Sequence, residues 1–137
     1  MGHVYAEITL KNATDVVLVQ RGIMKEQEIR QITVESMVDT GAGTIIISEA
    51  LQKALGLELH GKRAVYLAND TTEMCNFTEP VAIHWKDRHT FTAALVLPGA
   101  DEVLLGAIPL EDMDLIVDPA RQALIGAHGD KVVCKVK

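Results

Sequence analysis

The stretch that most restricts the fold runs from Ile32 to Gly43. Ile32, Val34, Ser36 and Val38 alternate with Thr33, Glu35 and Met37, a period of two that suits a strand with one buried face. The strand runs into Asp39-Thr40-Gly41-Ala42-Gly43, so an acid emerges from a rigid element into a glycine-containing turn. Directly after it, Thr44-Ile45-Ile46-Ile47 is an unbroken β-branched run, the pattern of a strand buried on both faces. Ser48 is then a predicted N-cap, with Glu49 favourable in the first turn, a short helix through Leu55 and Gly56 as its stop.

The rest of the chain continues in short strands. Its 137 residues fit one domain and are too few for two lobes with separate cores. Aromatics make up only 4% against 48% hydrophobic residues, so the core must be built from Val, Ile, Leu, Ala and Met. Residues 5–12 and 15–20 are predicted strands about a polar break, and 25–30 is a charged excursion. Residues 63–68 and 72–78 flank Asn69-Asp70, a turn-forming pair, and read as a hairpin. Val81, Ile83 and Trp85 alternate up to Lys86-Asp87-Arg88, and residues 91–97 return as a second hairpin. A short strand at 102–106, a helical turn near 110–113 and a last hairpin of 115–117 with 123–125 follow. Little pattern remains after Gly126, which divides the chain into a domain, 1–126, and a tail, 127–137. The expectation is a mainly β fold with one or two short helices.

Composition excludes several classes of partner. The formal charge is −6, and no block of Lys or Arg is longer than a pair, so no nucleic-acid footprint is present. No run approaches the ~20 apolar residues that span a bilayer, and residues 1–7 have neither a basic region nor a long apolar run. A cytoplasmic protein without membrane or nucleic-acid partners is expected. Cys75 and Cys134 lack metal-like spacing and read as reduced, small apolar fillers. His3, His60, His84, His89 and His128 likewise have no close ligand spacing. Gly41-Ala42-Gly43 lacks the Lys-Ser or Lys-Thr of a phosphate loop.

Asp39-Thr40-Gly41-Ala42 between these two strands, then a hairpin, then Leu104-Leu105-Gly106, resembles the retropepsin-like aspartic peptidases of bacteria and archaea, relatives of the retroviral proteases. The resemblance covers roughly residues 4–126. It implies an acid-protease barrel acting as a homodimer on protein or peptide substrates, with no metal, nucleotide or organic cofactor. It assigns the catalytic carboxylate to Asp39 and the active-site loop to Thr40, Gly41 and Ala42. A substrate-covering flap falls on Ala68, Asn69, Asp70 and Thr71, and Leu104, Leu105 and Gly106 pack behind the acid loop. The sequence departs from the family pattern at Ser36, where an apolar residue is usual, and at Gly43, where glycine is disfavoured. The flap tip also lacks the glycine cluster of the retroviral enzymes. A non-catalytic dimeric binding or assembly module on the same fold is the alternative, since fold does not determine function.

Peptide hydrolysis without a metal or covalent intermediate needs one group to deprotonate water and another to protonate the carbonyl oxygen. Two carboxylates forced together do both, because like charges at close range share a single proton and titrate as a pair. One motif copy per chain means that the second carboxylate comes from a symmetry mate on a two-fold axis. Ala42 stands where pepsin-like enzymes carry a Ser or Thr whose hydroxyl supports the ionised carboxylate. A mildly acidic pH optimum is therefore expected, above that of a pepsin-like enzyme. Ala42→Ser should move both limbs of the bell-shaped cleavage profile toward acid by about one pH unit. The pH dependence on a single peptide tests this, and an unmoved profile with the new serine bonded to Asp39 would refute it.

Overall fold

The computed structural model describes residues 2–136. Its elements are β1 (Val4–Asn12), α1 (Ala13–Gln20), a 3-10 turn (Glu26–Glu28), β2 (Gln31–Val38), β3 (Ile45–Ile47) and α2 (Glu49–Ala54). They continue with β4 (Leu59–Tyr66), β5 (Thr72–Trp85), β6 (Arg88–Val96), β7 (Val103–Leu105), α3 (Ala107–Asp112), β8 (Leu115–Asp118) and β9 (Ala123–Gly126). The mainly β class holds, with three short α-helices where one or two were expected.

Seven strands form one sheet in the order β1-β2-β7-β3-β6-β5-β4, and β1 also pairs with β5. That pairing closes a six-stranded barrel and leaves β4 outside it, joined only to β5. Closure removes the free edges that six short strands would otherwise expose. β2 and β7 run parallel with Val38 opposite Leu105, while β3 lies parallel to β6 and antiparallel to β7. β8 and β9 form a separate two-stranded ribbon. Among the described residues, no helix is long and apolar enough to cross a membrane.

The core is aliphatic, as composition demanded. Ile8, Leu10, Ile45, Ile47, Val81, Ile83 and Leu105 are buried inside the barrel, and Trp85 is the one aromatic among the buried core residues. Ser36 sits on this inner face and is fully buried, yet satisfied, because its hydroxyl donates to the Ala6 carbonyl at 2.9 Å. A polar residue is thus tolerated where an apolar one was expected.

Residues 13–20 are helical, not a strand. Val16-Val17-Leu18-Val19 has the β-branched content of a strand, but the capping chemistry wins. The Asn12 side chain accepts from the Asp15 N–H at 3.1 Å and starts the helix at the end of β1. The Asn12 amide also donates to the carbonyl oxygens of Leu55 and Gly56 at the end of α2. Asp15 is buried and accepts from Arg30 three times, from its backbone N–H and through a two-pronged guanidinium contact at 2.9 and 2.8 Å. Other boundaries move as well. The expected strands 72–78 and 81–85 are one continuous β5, bent by a register shift between Phe77 and Pro80.

The side-chain hydrogen bond from Arg30 holds the Asp15 carboxyl below the ordinary carboxylate range, against the burial that pushes it up. A carboxyl depressed in the folded state stabilises the fold above its unfolded value, near pH 4, and that contribution is lost as pH falls through the folded value. Because Arg30 is half exposed, the pair is discounted for solvent screening. Asp15→Ala should cost about 2 kcal/mol at neutral pH in urea unfolding, with the gap from wild type narrowing in acid. Equal stabilities at pH 7 would show the pair to be immaterial.

Candidate active site

Asp39 follows directly on β2, and its position is set by backbone bonds. The Asp39 N–H donates to the Leu105 carbonyl at 2.9 Å, extending the β2–β7 ladder to the acid itself. The chain then turns sharply. The Ala42 N–H returns to the Asp39 carbonyl at 3.1 Å, and the Gly41 N–H donates to Asp39 Oδ1 at 3.0 Å. A β-carbon at Gly41 would lie 3.2 Å from that same oxygen, so glycine lets the backbone approach the carboxylate closely.

The loop is held from behind by the start of α3. Ala107 N–H donates to the Ala42 carbonyl at 2.8 Å and Ile108 N–H to the Gly43 carbonyl at 2.9 Å. Gly106 lies between, buried, where a β-carbon would fall 2.2 Å from the Thr44 carbonyl oxygen and 2.5 Å from that of Ala42. Backbone meets backbone here, and no side chain fits. Gly43 differs: a β-carbon there would meet nothing within 4 Å, so steric crowding does not account for this glycine.

Asp39 opens onto a cleft of about 610 Å³ and is the one carboxylate lining it among the described residues. The wall opposite the turn is a lateral row of three half-buried side chains, Leu104, Ile46 and Leu95, which are register partners on β7, β3 and β6. β3 is therefore not buried on both faces as its composition suggested. Ile45 and Ile47 enter the core while Ile46 faces the cleft. Leu104, expected behind the loop, also lines the cleft, whereas Leu105 and Gly106 are buried.

The other side of the cleft comes from the β4–β5 hairpin. Its lining residues run from Ala64 to Ala68, so the contribution begins earlier in the chain than the expected flap. Asn69, Asp70 and Thr71 are exposed at the tip and are not among the lining residues. The connection is longer than a two-residue turn. β4 ends at Tyr66, the Leu67 N–H bonds the Thr71 carbonyl at 2.9 Å, and Asp70 takes a positive φ of 64°. Asp tolerates that conformation better than most residues, which explains a tip without glycine.

Thr40 is exposed, and its hydroxyl makes no hydrogen bond among the described residues. Sequence reasoning missed Ile46, Leu95 and Leu97 as cleft residues. Alternation within 91–97 separates the two faces of that strand, but it does not say which face meets the acid. The two cysteines are both free, Cys75 buried and Cys134 exposed. Burial pushes the Cys75 thiol up.

Comparison with known proteins bears on this geometry. The model of a family described as "gag-polyprotein putative aspartyl protease" matches residues 8–112. Among solved structures, the chain is similar to a retropepsin-like aspartic protease from Rickettsia conorii, with a TM-score of 0.57 and 20% identity over 85% of this chain and 77% of that one. At that identity the likeness concerns the fold. No curated protein matches the chain.

Gly106→Ala should destabilise the protein by about 3 kcal/mol, because the new methyl meets two carbonyl oxygens that are themselves fixed in the acid loop. Chemical denaturation measures this. A loss below about 0.5 kcal/mol, the range of ordinary surface changes, would mean that the loop yields freely and is not clamped.

Proposed function

The chain belongs to the retropepsin-like aspartyl protease family, and from that premise we propose that it is an aspartic endopeptidase whose active unit is a homodimer. The observation that carries the reading is Asp39 itself. Among the described residues it is the lone carboxylate in a largely apolar cleft, held at the end of β2 by the Leu105 carbonyl and the Gly41 N–H. Half of a two-carboxylate mechanism is present in each chain, and a two-fold axis supplies the rest. The exposed Thr40 hydroxyl is free to bond the facing loop across that axis.

In this mechanism the two Asp39 carboxyls hold one proton between them. The ionised member takes a proton from water as the water oxygen attacks the scissile carbonyl, and the protonated member gives its proton to the carbonyl oxygen. The tetrahedral diol then collapses. Its carbon–nitrogen bond breaks as the carboxyl proton passes to the leaving amine while the ionised carboxylate takes a proton from one diol hydroxyl, so the pair is left singly protonated. The hairpin from Ala64 to Ala68 would cover an extended peptide, whose backbone pairs like an added strand while alternate side chains meet Ile46, Leu95 and Leu104.

Asp39→Asn keeps the shape of the side chain but removes its capacity to carry the proton. It should lower kcat at least about 10³-fold on a peptide library while thermal stability and oligomeric state persist. Wild-type specific activity should rise with protein concentration as the dimer fills. Cleavage retained by a contaminant-free Asp39→Asn sample would remove Asp39 from the mechanism. A folded wild-type dimer that cuts nothing in the library would favour the non-catalytic assembly module.

A further inference from the structure

Helix α1 is unlike an ordinary surface helix. Val16, Val17, Leu18 and Val19 are consecutive, so the helix has apolar residues all round, yet none of the four is fully buried. A helix of that kind normally lies within a core. Between α1 and the outer face of β6 runs a groove of about 500 Å³, lined by Val17, Pro80, His89 and Phe91 among others. Val17 is 37% exposed and Phe91 47%. The rings of His84, His89 and Phe91 follow one another across the sheet, with His89 stacked on His84 at 5.3 Å and edge-on to Phe91 at 5.6 Å.

This groove and the cleft lie along one face of the same strand. Side chains alternate along β6, so His89, Phe91, Ala93, Leu95 and Leu97 share its outer face. Leu95 and Leu97 line the cleft and His89 and Phe91 line the groove. Ala93 lies between them, opposite Pro80 in register, and neither residue projects a long side chain across the path. From Leu97 to His89 the strand covers about 27 Å, the reach of roughly eight extended residues.

The charges around the groove differ between its two flanks. Glu79 is occupied by the Thr14 hydroxyl and the Glu58 N–H, and Asp15 by Arg30. Lys11 lies in the lateral row Lys11–Ala82–Phe91 and makes no salt bridge among the described residues. One flank of the groove thus offers a cation and an imidazole, while Glu111 and Asp112 border Phe91 on its other side.

We propose that the groove between α1 and β6 is a substrate exosite. A polypeptide whose scissile bond lies over Asp39 continues along the outer face of β6 and seats an apolar side chain against Val17, Pro80 and Phe91, with a neighbouring carboxylate toward Lys11. The proposal rests on the peptidase reading and adds to it a preference for long, unfolded substrates over short peptides.

The test uses full-length protein, β-casein as a disordered acidic substrate, and an octapeptide centred on a casein cut site, which is too short to reach the groove. Val17→Lys and, separately, Phe91→Ser should raise KM for casein about tenfold with kcat nearly unchanged, and leave octapeptide kinetics as in wild type. The octapeptide thereby reports that the fold is intact. Cleavage with the same casein KM in all three proteins overturns the exosite and leaves the peptidase reading standing. If wild type cuts neither substrate, the peptidase reading falls. Casein binding to Asp39→Asn, with and without Val17→Lys, then judges the groove: binding lost with Val17→Lys keeps it as a polypeptide site, and binding unchanged removes it. A change in sedimentation of the protein alone on Val17→Lys assigns the face to self-association and overturns the proposal.

Discussion

Everything at the acid depends on a close approach of two backbones. Gly106 carries no β-carbon, so the start of α3 can lie against the carbonyls of Ala42 and Thr44. That approach lets two successive N–H groups, from Ala107 and Ile108, satisfy the carbonyls of Ala42 and Gly43. With the outer side of the turn tied down and the Asp39 N–H bonded to Leu105, the carboxylate projects from a segment that has few ways to move. Catalytic groups need positioning of this kind more than they need strength in any one contact.

β3 connects this clamp to the rest of the molecule. Three isoleucines in a row serve two faces, with Ile45 and Ile47 in the core and Ile46 in the cleft. Its neighbours repeat the division. Val103 and Leu105 flank Leu104 on β7, and Ala94 and Val96 flank Leu95 on β6. The barrel wall is therefore one residue thick, with aliphatic packing on its inside and a substrate-sized surface on its outside.

A second hub holds the other end of the barrel. Asn12 caps α1 with its oxygen and the end of α2 with its nitrogen, and the neighbouring Asp15–Arg30 pair ties the loop after α1 back to the helix start. The Arg30 guanidinium occupies the space where a β-carbon at Gly56 would lie, so the stop of α2 and the pairing of Arg30 share one constraint. Arg88 plays a similar part beneath β8 and β9. It is buried, and it donates to the carbonyls of Met113, Asp114 and Gly129. These polar contacts fix loops that the aliphatic core alone would leave undirected.

The sequence by itself determined the class of fold and the location of the acid. Period-two alternation in residues 32–38 and the helix boundaries at Ser48 and Gly56 are local effects, written within a few residues of where they act. Composition likewise required an aliphatic core before any strand was placed. Tertiary structure decided what local pattern leaves degenerate. Val16–Val19 has strand composition but becomes helix, and beside the local cap at Asn12 its buried Asp15 takes a partner, Arg30, from beyond the helix. Ile46 belongs to a run that looks doubly buried; alternation sets it opposite Ile45 and Ile47, and only the assembled cleft decides that its face stays open. The hairpin contributes Ala64 to Ala68 and not its tip, since which part of a hairpin overlies the acid depends on the lean of β4 and β5 across the barrel. Side-chain period tells that a strand has two faces, and only the neighbours assembled from distant parts of the chain decide what each face meets.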